Sequence, residues 1–287
     1  MKQLIYIVFT LLSTYSFAQK TIRGTITGAE TKTTLPYVNI GIQGTEIGTI
    51  SNEKGEFRLQ LKESVQPTDS LLFSFIGFET KAFLIKSLVN KENLEIELTP
   101  SNEELEEVVL SGKKPKEKKI GRSHVGTKTL SLHFYTRDEE QDDRLGKEMG
   151  MKFNLRGDYR LKNLIFYVGY THYNWVKFRV NVYRLEDDEP TELLTKEDII
   201  FTVLDIENEW FSVDLNDYNL YLRKELGSFL VTIQWLESDK KHENSIFFSI
   251  PAGMTPLRKS YYREKGFAEW KQNPGVNASF YLVVDKY

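Results

Sequence analysis

The side chains that most often carry enzymatic chemistry are few and scattered in this 287-residue chain. Its four histidines are His124, His133, His172 and His242, and none of them stands in an HxxE or HExxH motif. Zinc sites need His, Cys, Asp or Glu ligands that cluster at helix or hairpin spacing. The sequence therefore predicts no catalytic metal site.

Motifs for nucleophilic catalysis and phosphate binding are missing as well. The chain has no cysteine and no GxSxG nucleophile elbow. Gly146, Gly150 and Gly157 lie at the ends of predicted strands, not between a strand and a helix as in a phosphate-binding loop. Among forty-one acidic residues, some pair of carboxylates converges by chance, so such a pair carries no weight. We expect a non-enzymatic protein and keep a hydrolase with an unrecognised site as a third alternative.

One acidic run, residues 138–143, offers several oxygen ligands of the kind that calcium prefers. It lacks the D-x-D-x-D-G spacing of a calcium loop, and a contiguous acidic run is more typical of a solvated turn. Asp138, Asp142 and Asp143 are the candidate ligands of a structural calcium. No other cofactor is expected.

Aromatic side chains are the better candidates for a binding site. Exposed rings with polar neighbours stack on sugars or bind peptide. Strand alternation places Trp235 inside. Trp210 has the opposite parity from the apolar residues Phe211 and Val213 of its own predicted strand, so it is expected to face outward. The alternative is that such rings only pack against the protein and hold long loops in place over the ends of a sandwich, a role that we call stapling. The candidate platform residues are Tyr173, Trp175, Trp210, Tyr261, Tyr262 and Trp270, the last three in a predicted loop over 261–270.

Short strands must position these side chains. Phe57, Leu59 and Leu61 alternate with polar residues, which is the period of a strand with one solvated face. After residue 129 the alternating stretches become longer, and no apolar stripe repeats every 3.6 residues. The pattern predicts an all-β protein, with an N-terminal β-sandwich and a larger C-terminal β-sandwich.

The composition changes along the chain define the expected domains. Lys2, the apolar run 4–12 and the small-x-small site at 16–18 predict a cleaved signal peptide over 1–18. We expect a first sandwich over 19–100, a charged linker over 101–128 and a second sandwich over 129–287. Export together with the absence of cysteine fits an oxidising bacterial periplasm.

The N-terminal words PYVNIGIQGTEIGT, GTISNEKGEFRL and LLFSFIGFET are specific in combination. Over about residues 20–100 the chain resembles the carboxypeptidase-like regulatory domain of secreted and outer-membrane proteins of Bacteroidetes. The resemblance implies a transthyretin-like, immunoglobulin-related sandwich without catalytic residues. The later stretches FRVNVY, EWFSVDL and FLVTIQW resemble a jelly roll of the galactose-binding type.

The stretch ELEEVVLSG, Glu104–Gly112, resembles the segment that follows this domain in TonB-dependent outer-membrane transporters. There it contacts the energising protein. An extended segment of this kind docks by adding a strand to a partner's sheet edge. The candidate docking residues are Leu105, Val108, Val109 and Leu110, and the alternative is a last strand followed by a plain linker.

These observations predict an exported, non-catalytic binding or scaffolding protein of the periplasm or outer membrane, with a glycan or an envelope protein as its partner. The alternative is an accessory subunit that docks to a TonB-type or transporter partner through Glu104–Gly112. The net charge of −3 gives no reason to expect nucleic acid. Membrane association is expected only through partners.

Overall fold

A computed structural model describes residues 20–89, 91–101, 114–134, 144–243 and 245–287. The predicted signal peptide, the docking segment and the three calcium candidates lie outside the described residues. The described part consists of 21 strands, one single-turn helix and two single-turn 3-10 helices, Asn216–Tyr218 and Lys224–Leu226. The predicted all-β class is confirmed.

The N-terminal sandwich packs a three-stranded sheet, in the order β4-β1-β7, on a four-stranded sheet, in the order β3-β2-β5-β6. Its helix α1 spans Ile85–Leu88 and inserts Ile85 and Leu88 into the core. Its strands are β1 (Thr21–Gly28), β2 (Asn39–Ile42), β3 (Gly48–Ile50), β4 (Glu56–Gln60), β5 (Ser70–Ser74), β6 (Lys81–Leu84) and β7 (Leu94–Leu98).

The C-terminal sandwich is larger and contains the remaining strands. They are β8 (Lys116–Gly121), β9 (Thr127–His133), β10 (Glu148–Asn154), β11 (Tyr159–Val168), β12 (Tyr170–Thr171), β13 (Tyr173–Glu186), β14 (Glu189–Leu193), β15 (Ile199–Leu204), β16 (Glu209–Asp214), β17 (Tyr221–Leu222), β18 (Ser228–Lys240), β19 (Phe248–Arg263), β20 (Lys271–Ala278) and β21 (Phe280–Lys286).

Two sheets enclose the C-terminal core. The nine-stranded sheet has the order β12-β19-β10-β18-β13-β14, with β15 on β13 and with β9 and β20 on β19. The five-stranded sheet has the order β16-β11-β21-β8, with β17 on β11. Aromatic side chains from both sheets, among them Phe178, Trp235 and Phe166, fill the space between them and are fully buried. The inward position predicted for Trp235 is confirmed.

The predicted linker is shorter than its composition indicates. Residues 116–121 form β8, which pairs with β21 at the edge of the five-stranded sheet, and β9 already begins at Thr127. An edge strand needs hydrogen bonds on one side only, so lysines are tolerated there with their side chains in water. Ile120 packs against the core while Lys116, Lys118 and Lys119 stay exposed. A high charge density therefore marks an edge strand here.

The N-terminal sandwich docks on the outer face of the nine-stranded sheet. Tyr37 and Ile50 of the first domain pack with Leu236 of β18 in a small buried cluster. The Gln234 amide donates a hydrogen bond to Asn39 Oδ1 at 2.8 Å, and the Gly44 N–H donates to the Phe267 carbonyl at 2.9 Å. This face of the sheet is thus covered by protein, although its side chains are polar.

Arg179, on β13, lies at the centre of this contact between the two domains, which we call the domain joint. It is only 1% exposed. Its guanidinium forms a two-pronged ion pair with Asp198 and donates to Gln234 Oε1 at 3.1 Å. It also donates to the backbone carbonyl of Tyr37 at 2.9 Å, across the domain boundary. A buried charge is tolerated only when it is paired and its donors are satisfied. Arg179 meets that condition only while the N-terminal sandwich is in place.

The substitution Arg179→Met tests this joint. It leaves the Asp198 carboxylate and the Tyr37 carbonyl without their donor, so we expect the free energy of unfolding to fall by about 2–4 kcal/mol. All four tryptophans lie in the C-terminal sandwich, so urea unfolding followed by tryptophan fluorescence reports its stability directly.

The matched control is Arg184→Met on the same strand. Arg184 pairs with Glu192 at 2.7 Å, but the two side chains are 38% and 59% exposed. Exposed pairs contribute about 0–1 kcal/mol, so this variant should unfold close to the wild type. Equal unfolding midpoints for the two variants would contradict the role assigned to Arg179.

Candidate functional site

The outward face of the five-stranded sheet carries a row of rings. Trp210 on β16 stands opposite Tyr167 on β11, and their ring centroids are 5.3 Å apart. Trp210 also reaches Tyr281 on β21 at 5.3 Å. Both contacts are edge-on, a favourable geometry for aromatic pairs. We call Tyr167, Trp210 and Tyr281 the outer aromatic row.

Strand alternation puts these rings on the outside. Phe166, Phe211 and Phe280, the neighbours of the three residues in sequence, point inward and pack in the core. Trp210 and Tyr167 are half-buried by their contacts within the row, whereas Tyr281 is almost covered. Trp210 therefore offers the ring that a ligand reaches first.

A cation lies at one end of the row. The Lys119 ammonium of β8 is 5.5 Å from the centre of the Tyr281 ring, within the range of a cation–π contact. Exposed Ser212, two residues after Trp210 on β16, shares the outward face with the row. The surface therefore combines stacking rings with hydrogen-bonding groups, which is the composition that suits sugar rings.

Trp175 lies elsewhere, on the outer face of β13 next to the domain joint. It stands opposite Leu204 of β15, and the Lys177 ammonium is 5.9 Å from its ring. Lys177 donates to the Tyr37 hydroxyl at 2.6 Å and to Glu237 at 3.2 Å. Tyr37 in turn donates to Glu237 at 2.9 Å, which closes a triangle of residues from both domains.

The charges in this triangle stabilise one another. Burial alone would lower the pKa of Lys177, but its hydrogen bonds to Tyr37 and Glu237 outweigh burial and raise it. Burial raises the pKa of the Tyr37 hydroxyl. Both groups are therefore protonated at neutral pH and hold the two domains together. The polar groups next to Trp175 are thus already engaged in the domain contact and are not free to bind a ligand.

Tyr173 does not form a platform, because it is 1% exposed. Its ring packs edge-on against Trp235 at 5.0 Å, and its hydroxyl donates to the Ser245 carbonyl at 3.2 Å. Burial raises the pKa of this hydroxyl to about 12. It is the first residue of the core strand β13, so its ring is not available as the predicted stacking platform.

The predicted loop over 261–270 also differs from the structure. Tyr261 and Tyr262 belong to β19, and Trp270 directly precedes β20. Tyr261 is 0% exposed, and Tyr262 packs against the core cluster. The Tyr261 ring packs with Tyr183 and Leu230 in a small buried cluster, and the Tyr262 ring packs against the main core, so neither is a free platform.

Trp270 covers a buried ion pair. The Arg263 guanidinium is 4.4 Å from its ring centre and donates two hydrogen bonds, at 2.9 and 2.6 Å, to Glu148. Glu148 is 0% exposed and also accepts from Asn181 at 2.8 Å and from Thr232. Burial opposes the charge on Arg263, but Glu148 and Tyr183 outweigh it, so the pKa of Arg263 is raised.

In the ranges that the structure describes, no three His, Asp or Glu side chains come close enough together to hold a metal ion. His172 contacts the rings of Tyr170 and Phe247 instead, and its Nε2 is 2.8 Å from the Tyr170 hydroxyl.

Sequence reasoning found Trp210 but missed the rest of the row. Tyr167 and Tyr281 fall on the outward parity of predicted strands, so alternation alone could have identified them. Lys119 could not be identified in this way, because the stretch that forms β8 was predicted to be linker. What the sequence does not disclose is the strand order, which places β16, β11, β21 and β8 side by side.

The CarboxypepD_reg-like domain family matches residues 22–110, and this confirms the resemblance inferred from the N-terminal motifs. A TonB-dependent receptor P3 from Formosa agariphila is 27% identical over 154 residues, which is 53% of this chain. The chain covers only 15% of the length of that receptor.

Two solved structures show a distant likeness. One contains the cysteine protease and lectin-like domains of Cwp84, a surface layer associated protein of Clostridium difficile (TM-score 0.36, 8% identity, 94% of this chain and 59% of that one). The other is the infectious bursal disease virus Gx strain (TM-score 0.29, 8% identity, 93% and 63%). Scores this low carry no argument about ligand or activity, and the jelly-roll assignment stays a prediction.

Trp270→Ala tests the stapling role. Removing the ring uncovers the Arg263–Glu148 pair, so we expect the free energy of unfolding to fall by about 2 kcal/mol or more. The measurement is urea unfolding, with Trp270→Phe as the conservative control that keeps a ring over Arg263. A Trp270→Ala variant as stable as the wild type would show that this ring staples nothing.

Proposed function

We propose that this chain, whose residues 22–110 match the CarboxypepD_reg-like domain family, is an exported, non-catalytic binding protein of a bacterial cell envelope. The ligand that its surface fits best is a glycan, bound on the outer aromatic row. The observation that carries this assignment is the position of Trp210, half-exposed on a rigid sheet beside two tyrosines, with Lys119 at the end of the row.

The envelope location has separate support. The receptor match and the domain family both point to proteins of that compartment, and the predicted signal peptide would deliver the chain there. None of the helices in the described part has the length and apolar character to cross a membrane.

A rigid ring platform has a physical advantage for sugar binding. Rings on paired strands are already ordered, so a ligand does not have to immobilise a loop when it binds. The C–H faces of a sugar ring stack on the indole of Trp210, while Lys119 and Ser212 are available to hydroxyl groups. We therefore expect weak, stacking-dominated retention of polysaccharides and no turnover of them.

Affinity electrophoresis of the full chain in native gels containing laminarin, xylan or galactomannan tests this assignment. Wild-type protein should be retarded by at least one polysaccharide, and Trp210→Ala should lose most of that retardation because the stacking ring is gone. The matched control is Tyr170→Ala, which removes an exposed ring from the other sheet and should leave retardation unchanged.

Two results would reject a glycan on this face. One is the absence of retardation by any of the three polysaccharides, and the other is full retardation of Trp210→Ala. Urea unfolding of Trp210→Ala is needed alongside, because a loss of more than about 1 kcal/mol would favour stapling. Trp175→Ala serves as a second arm that tests whether the ring beside the joint binds instead.

The receptor match favours a second candidate function. The chain is then an accessory subunit that engages a TonB-type or transporter partner through Glu104–Gly112, as the resemblance of ELEEVVLSG implies. The candidate contact residues Leu105, Val108, Val109 and Leu110 lie outside the described residues, so the support is the sequence alone.

Deletion of residues 104–112 separates the two functions. After cross-linking in cells, the full chain and the deletion variant are purified and their envelope partners are identified by mass spectrometry. Docking predicts that one or more partners disappear, because the added strand is lost. An unchanged partner set would dismiss docking, and polysaccharide retardation should persist in the deletion variant.

A further inference from the structure

Leu257 is the most exposed large apolar side chain in the part of the chain that the structure describes, at 95%. Met254, three residues before it on β19, is 70% exposed. Single apolar residues at a protein surface are common. Here two long apolar side chains lie close together on one strand, almost entirely in water, and the structure and charge around them indicate a function.

An interruption in strand pairing presents these two side chains. The ladder between β19 and β20 runs to Met254 and resumes at Lys259. Residues 255–258 therefore stand opposite Gly275, whose φ of 79° is one that glycine adopts without steric cost. An insertion of this kind is a bulge, which bends the strand and re-aims its side chains. We call residues 254–258 the β19 tip, and the sheet holds both of its ends.

Two arginines flank the tip. Arg258 belongs to it, and the Arg122 side chain lies against the backbone of Gly253, where an added Cβ would come within 2.6 Å of its guanidinium. Arg122 also donates to the Val125 carbonyl at 3.4 Å. Neither arginine forms an ion pair with a carboxylate of the described residues. Unpaired guanidinium groups suit phosphate, whose oxygens accept their donors two at a time.

The immediate surroundings of the tip are basic. The chain has 41 acidic residues, but none falls in the three segments that strand pairing brings together here, which are 122–134, 245–263 and 271–280. The β13–β14 turn adds Asp187 and Asp188, and Asp188 is already bound by Lys152 and Lys259. The two arginines and these two lysines outnumber the two aspartates, although the whole chain has a net charge of −3.

We propose that the β19 tip binds the surface of an anionic phospholipid bilayer, with Leu257 and Met254 among the acyl chains and with Arg258 and Arg122 at the lipid phosphates. Binding at a membrane interface grows with the apolar area that is buried and with the attraction between cations and anionic lipids. The tip and its adjacent arginine supply both. This contact would add direct lipid binding to the partner-mediated association that the sequence predicts.

Size and shape favour a bilayer over a protein partner. A stable protein–protein interface buries about 800 Å² on each side, which is far more than a five-residue tip presents. Leu257 has little protein around it, and acyl chains can surround an isolated side chain on every side. We expect weak, reversible binding, because two apolar side chains bury less surface than one lipid anchor, and one such anchor gives only marginal binding.

Vesicle co-sedimentation tests this proposal. The exported chain, residues 19–287, is used because it contains both sandwiches and omits the apolar run of the predicted signal peptide. It should sediment with phosphatidylcholine vesicles that contain about 30% phosphatidylglycerol, and less with phosphatidylcholine alone. Leu257→Ser should lower the partition coefficient about tenfold, because an apolar side chain is lost. Leu193→Ser, at an exposed leucine on β14, is the control and should not change it.

The contribution of charge is measured in the same assay. Arg258→Gln should lower binding to the anionic vesicles about fivefold and leave binding to phosphatidylcholine unchanged. Arg58→Gln removes an exposed arginine from β4 of the first sandwich and should bind as the wild type does. Salt at about 0.5 M should reduce the difference between the wild type and Arg258→Gln, because it screens exposed charges.

A single cysteine locates the contact, since the chain has none of its own. Leu257→Cys labelled with a nitrobenzoxadiazole dye should brighten and shift to the blue with anionic vesicles, whereas Leu193→Cys with the same dye should not. Three results overturn the proposal: no sedimentation of the wild type with anionic vesicles, equal sedimentation of the wild type and Leu257→Ser, or a dye at position 257 that vesicles leave unchanged. The first of these would leave a protein partner as the occupant of the tip.

Discussion

The buried guanidinium of Arg179 is the constraint on which the arrangement of the two domains depends. Withdrawing an arginine from water is costly unless each of its donors finds an acceptor. Asp198 and Gln234 supply acceptors from the second domain, and the Tyr37 carbonyl supplies a further acceptor from the first. Without its N-terminal neighbour, the outer face of the nine-stranded sheet would expose a partly satisfied polar network. The CarboxypepD_reg-like domain thus has a structural task here, as the cover of that face.

Because the first domain covers the outer face of the nine-stranded sheet, binding partners are left with other surfaces. The nine-stranded sheet has its outer face occupied by the first domain near Gln234 and by Trp270 near Glu148. The five-stranded sheet has no such cover within the described residues, and it is there that the rings of Tyr167 and Trp210 lie outward.

Local physics explains what could be predicted from the sequence. Alternation assigned Trp235 to the core and Trp210 to the outside, and the turn glycine Gly55 has the positive φ of 75° that its position requires. The failures share one cause, which is long-range pairing. Tyr173 looks like a loop residue until β13 is known to be a core strand, and residues 116–121 look like a linker until β21 supplies their partner. No local pattern discloses that Arg179 will meet a carbonyl 142 positions away.

Trp210 and Trp270 show why exposure alone does not identify a binding residue. Both indoles are half-buried and both contact a tyrosine edge-on, at 5.3 and 5.4 Å. Beneath Trp270 lies a charged pair, Arg263 with Glu148, whose mutual attraction depends on the exclusion of water. Trp210 instead contacts the rings of Tyr167 and Tyr281, whose packing tolerates water or a sugar at the surface. A ring that shields a buried charge is already engaged, and a ring that rests on other rings is free to bind.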